Sequence, residues 1–141
     1  MRKIGRAWYG VCVPPARQLQ IDQERKREMP QTPSARYKYV VQLAIPKSIE
    51  ARFIELYDHE HIPVLMKVPG VRACTRYQLV WADTDAMPEH LAIYDVDGPD
   101  VPKSAEWREV SAVGRWGVEI RPHMRVRRHG MFEQAATFCS D

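Results

Sequence analysis

The sequence predicts an α+β domain whose elements run β-α-β-β-α-β. Three observations carry that expectation. Two stretches, 48–68 and 104–116, place apolar residues three and four apart, the helical period. Four others, opening at Tyr37, Val71, Leu91 and Met124, are short and hold β-branched and aromatic residues between loop-forming ones. The chain of 141 residues, 45% hydrophobic and 28% charged, has the length and composition of one globular domain.

Tyr37–Ile45 alternates partly and stops at Pro46, a strand. Ser48 is placed to cap a helix bearing Ile49, Phe53, Leu56 and Tyr57, continuing through His61, Val64, Leu65 and Val68 until Pro69-Gly70 closes it. Val71–Trp81 alternates as a second strand, and after a polar loop Leu91–Val96 forms a third that is apolar on both faces. Ser104 opens a second helix carrying Trp107, Val110, Val113 and Trp116, and Met124–Gln134 reads as a fourth strand. No sequence repeat between the two halves is evident. The order is that of the ferredoxin-like unit: four antiparallel strands with both helices on one face. Val40, Ala44 and Cys74 are expected to share the other face with Gln42, Arg72, Arg76 and Gln78. A half-apolar face of that kind needs a cover, and a second copy of the sheet would supply it, so a homodimer is expected.

Residues 1–36 are set apart as a basic, disordered extension, because they hold four prolines and no sustained period. Gln23–Glu28 can be encoded by a purine-rich stretch resembling a ribosome-binding site, which makes Met29 an alternative start. The domain is then 37–135, with a short tail at 136–141. The leader carries eight basic and three acidic side chains, a charge of +5, against +3 for the whole chain. Residues 37–141 are therefore at −2, which argues against a nucleic-acid partner. No run of eighteen apolar residues and no secretory leader is visible, so a cytoplasmic protein away from membranes is expected. Cys12, Cys74 and Cys139 fit neither a disulfide framework nor a zinc spacing.

Chemistry concentrates in Tyr57-Asp-His-Glu-His-Ile-Pro63. Two histidines, two carboxylates and a phenol within five residues can do acid–base work. Pro63 lacks an N–H and its ring meets the carbonyl of His59, so the helix must distort there. His61 and Tyr57 share a face by their i, i+4 spacing, whereas His59 points elsewhere. Two readings stay open. In one, His61 or His59 is a general base, Tyr57 donates a hydrogen bond, and Arg76, Trp107 and Glu60 hold substrate. In the other, these are satisfied groups at the edge of the core. A metal site is not expected, because H-x-H on a helix splays the rings and no third ligand follows at a suitable spacing. Gly-rich phosphate loops, nucleophile elbows and C-x-x-C pairs are missing too, so no nucleotide-dependent, serine-hydrolase or thioredoxin chemistry is indicated.

Together, Tyr57–Pro63, Leu65-Met-Lys-Val-Pro-Gly-Val71, Leu91–Val96 and Ser104-Ala-Glu-Trp107 resemble the dimeric α+β barrel superfamily, and within it the EthD-like proteins, over about residues 37–135. The resemblance implies a homodimer with facing sheets and a small-molecule cleft. Relatives include cofactor-independent monooxygenases, muconolactone-type isomerases, polyketide cyclases and haem-binding proteins. It suggests a cofactor-independent isomerase, lyase or oxygenase acting on a hydrophobic, aromatic or lactone-like metabolite. A non-catalytic ligand-binding dimer and a haem-binding member are the alternatives. The histidine that cyclases carry early in helix two has no counterpart in Ser104–Trp107, and His90, His123 and His129 are the histidines left for haem.

Overall fold

The computed structural model describes residues 35–141, so the expected extension at 1–36, with Met29, lies outside the described residues except for Ala35 and Arg36. Ala35–Phe132 form one compact unit. Glu133–Asp141 fall in another; from Gln134 onward they carry no regular element, and Gln134 Nε2 donates to Thr137 Oγ1 at 2.8 Å. Cys139 is disulfide-bonded and Cys74 is a free thiol, which corrects the expectation that the cysteines stay unpaired.

β1 (Tyr37–Ala44) ends just before Pro46, which cannot donate to a ladder. A 3-10 turn at Lys47–Ile49 leads to α1 (Glu50–Leu56). Ser48 sits inside that turn, and α1 has no side-chain cap, so the expected Ser48 cap is not formed. The chain then winds through a π turn, Tyr57–His61, into α2 (Ile62–Leu65). β2 (Val71–Gln78) and β3 (His90–Val96) follow. Ser104 caps α3 (Ala105–Ser111) as expected: its Oγ accepts from the Trp107 N–H at 3.2 Å, a contact worth about 1 kcal/mol. α3 is shorter than its periodicity suggests, because Gly114 takes a φ of 73° that turns the chain. A second π turn, Trp116–Ile120, and β4 (Val126–Glu133) complete the fold.

The strands form one sheet in the order β2-β3-β1-β4. Both β1 and β2 pair antiparallel with β3. Register decides which residues meet the helices, since directly opposed residues share a face. Val41 and Arg76 both oppose Ala92, while Gln42 and Tyr77 both oppose Leu91. The helix-covered face therefore carries Val41, Leu43, Ala92, Tyr94, Cys74 and Arg76. The other carries Val40, Gln42, Leu91, Ile93 and Tyr77. This corrects the expectation that Cys74 and Arg76 share a face with Val40 and Gln42. A register shift between Val71 and Ala73 is the cause, because a one-residue slip sends every later side chain to the opposite face.

Val41, Leu43, Ala92, Tyr94 and Val96 from the sheet pack against Phe53, Leu56, Leu65, Trp107, Trp116 and Ile120. The second face has no such cover within the described residues. Tyr77 and Leu79 stay exposed there, at 50% and 38%.

Candidate functional site

The two π turns have the same cause. In each, a proline stands six residues after an aromatic one: Tyr57 and Pro63, Trp116 and Pro122. An α-helical continuation would drive the proline ring into the carbonyl four residues back. Widening the turn avoids this. The Ile62 N–H donates to the Tyr57 carbonyl and the Arg121 N–H to the Trp116 carbonyl, both five residues back. The halves of the chain thus do share a local pattern, aromatic-x5-Pro. The second copy also depends on Gly117, where a Cβ would stand 2.2 Å from the Ala112 carbonyl oxygen.

The turns bring an aromatic column together. Phe53, Tyr57 and His61 stack in succession, with centroids 5.1 and 5.4 Å apart. Trp116 lies alongside all three, closest to His61 at 4.2 Å and 20°. His61 is only 8% exposed, and its Nδ1 is buried without a hydrogen-bond partner among the described residues. Burial, reinforced by the positive charges of Arg121 and Arg127, pushes its pKa down to about 3, so the ring is neutral. The Tyr57 hydroxyl lies 3.5 Å from that of Tyr94, and burial raises the pKa of both phenols.

His61, Tyr57 and Trp107 line a cavity between the helices and the sheet, together with Tyr39, Arg121, Arg127 and His129. Its volume is about 30 Å³, enough for one or two waters where about 10–15 Å³ admits one. That is room for a carboxylate- or carbonyl-sized group. It is far too little for a porphyrin, so this cavity does not fit haem. Trp107 meets Tyr39 and Tyr94 edge-on, at 5.4 and 5.5 Å.

At the exposed rim, β4 sends Arg127 and His129 to the cavity side. The Arg127 Nε–H donates to His129 Nε2 at 2.9 Å, and His129 Nδ1 makes a short hydrogen bond with the Tyr39 hydroxyl. Loss of water and the neighbouring guanidiniums lower the His129 pKa to about 4. With Nε2 accepting on a neutral ring, the proton must sit on Nδ1 and be given to the Tyr39 oxygen. The Tyr39 hydroxyl hydrogen is then left to donate elsewhere.

Of the six residues singled out in the sequence, His61, Tyr57 and Trp107 come together and three do not. His59 is exposed and outside the cavity lining. Glu60 is engaged by Arg115, whose Nε donates to Oε1 at 2.7 Å. Arg76 pairs bidentately with Asp58, at 2.6 and 2.9 Å, rather than facing a cleft. Tyr39, Arg121 and Arg127 were not singled out as site residues, and His129 only as a haem candidate. The i, i+2 spacing of Arg127 and His129 on a strand was the available signal. Among the described residues, no three His, Cys, Asp or Glu side chains are grouped to hold a metal, and no helix is long and apolar enough to cross a membrane.

No protein-family model and no curated protein matches the chain. A crystal structure of an EthD (ethyl tert-butyl ether) family protein from Bacillus halodurans does match, with a TM-score of 0.53. It covers 70% of this chain and 98% of that one at 15% identity. The fold is EthD-like. At this identity the likeness extends to the EthD-like fold alone, and what the cavity does must come from its own residues.

Proposed function

We propose that this EthD-like chain works as a homodimer on a small hydrophobic metabolite, aromatic or lactone-like, without a cofactor. The reacting polar group enters the cavity between the π turns and the remainder lies at the rim. His61 accepts a proton from the substrate and the Tyr39 hydroxyl supplies one, the pattern of an isomerase or lyase. The observation that carries this reading is His61 Nδ1, a buried nitrogen in a cavity wall without a partner among the described residues. Leaving such a group unpaired costs stability, and a ligand hydrogen bond would recover it. The uncovered sheet face with Tyr77 and Leu79 supports the dimer.

A second reading has its own observation. A histidine held at about 3 is a weak base, which suits a protein that binds the metabolite without turning it over. One experiment separates the two. Enolisable lactones and cyclic ketones are incubated with the protein in heavy water and followed by proton NMR. Loss of the α-proton signal, absent with His61→Phe, is the result expected of an enzyme. Ligands that raise the melting temperature without any exchange indicate the binder, and exchange undiminished in His61→Phe contradicts the role given to His61.

A further inference from the structure

We propose that Arg121, Arg127 and the Tyr39 hydroxyl form an oxyanion seat, so that the ligand of this cavity is an anion: a carboxylate, or an enol that binds as its enolate. The inference rests on the cavity reading above and names the class of ligand. Among the described residues, two arginines line the cavity and no carboxylate does. Four arginines elsewhere in the described chain are paired with carboxylates; Arg108, Arg125 and Arg128 are not, but they are exposed and lie outside the cavity lining. Arg52 pairs with Glu55 and Glu119, Arg72 with Asp97, Arg76 with Asp58 and Arg115 with Glu60. Arg121 and Arg127 have no carboxylate partner among the described residues. Two like charges that converge on one cavity repel each other, and this repulsion, added to lost hydration, is a cost that a bound anion removes.

The hydrogen-bond directions point the same way. Arg127 gives its Nε–H to His129, and His129 gives its Nδ1–H to Tyr39. Each group in that chain donates to the next, and the Tyr39 O–H is the last donor. A chain of donors needs an acceptor at its end, and a negatively charged oxygen is the strongest one. The volume of about 30 Å³ fits the two oxygens of a carboxylate, while the apolar bulk of the ligand stays by Trp107 and the rim.

Paired calorimetric titrations of the full chain test this, with benzoate and benzamide as probes of matched shape and different charge. Benzoate is expected to bind at least about tenfold more tightly than benzamide, about 1.4 kcal/mol. Arg121→Gln and Arg127→Gln should each remove that preference while leaving benzamide binding intact, which also shows that the variants are folded. Tyr39→Phe should weaken benzoate more than benzamide, whose carbonyl accepts only a neutral hydrogen bond. Rising salt should weaken benzoate and spare benzamide. If benzamide binds as well as benzoate, or the preference survives in both arginine variants, the anion seat is wrong and the cavity reading stands. If neither probe binds at millimolar concentration, both fall.

Discussion

His61 is a buried imidazole that folding keeps neutral, and lowering the pH should therefore unfold the protein through it. An unfolded histidine titrates near 6.5 and the folded one at about 3. Between those values the unfolded state binds the extra proton, so stability falls as the pH falls. The slope is about 1.4 kcal/mol per pH unit for one group, which amounts to roughly 2 kcal/mol between pH 7.5 and 5.0. His61→Phe isolates this contribution. The ring keeps its place against Tyr57 and Trp116, and a buried nitrogen with no partner among the described residues is removed. At pH 7.5 the variant should be within about 1 kcal/mol of wild type, since losing an unsatisfied polar atom offsets the change of shape. At pH 5.0 it should be the more stable by roughly 2 kcal/mol. His90 and His129 also have lowered pKa values, and carboxylates titrate too, but these groups are common to both proteins and cancel in the difference. Urea unfolding at the two pH values, followed by tryptophan fluorescence, reads the effect. Equal acid losses in the two proteins would refute the assignment of His61 as the neutral buried group.

Gly117→Ala should cost about 1–3 kcal/mol, because backbone must move to admit the methyl group; Gly98→Ala, with nothing within 4 Å, is the control, and equal melting temperatures would contradict the close approach at Gly117. Asp58→Asn should cost under about 1 kcal/mol by urea unfolding, since the Arg76 pair is partly solvated. His59→Ala, at an exposed position, should stay within about 0.5 kcal/mol of wild type. Light scattering at micromolar concentration should give twice the monomer mass, and Tyr77→Lys with Leu79→Lys should give the monomer; a wild-type monomer mass would contradict the dimer.

Strand and helix positions were legible because burial imposes periods of 2 and 3.6 on the apolar residues, and Pro46, Pro69-Gly70 and Ser104 punctuate them. The faces of β2 were not. Alternation alone cannot show a bulge, and the one between Val71 and Ala73 moved Arg76 to the helix side, where Asp58 holds it. The distortion at Pro63 was visible from proline's missing donor, and it placed Tyr57 and His61 in the site. Its counterpart at Trp116–Pro122 was hidden, because Gly114 and Gly117 blur the helical period there. Arg127 and His129 looked like charge on an edge strand until the sheet order placed them beside Tyr39. Pairings between residues ninety positions apart leave no local trace in a sequence.

The role proposed for the cavity between the π turns is to receive the ligand at His61. Nitrogen-15 NMR of the labelled histidine side chains at neutral pH, with and without saturating benzoate, tests it most directly. His61 should be neutral, with ring-nitrogen resonances that move on saturation, as should those of His129, while His59 on the outer surface does not respond. A His61 that is protonated at neutral pH, or one that stays unmoved while His59 shifts, would contradict it.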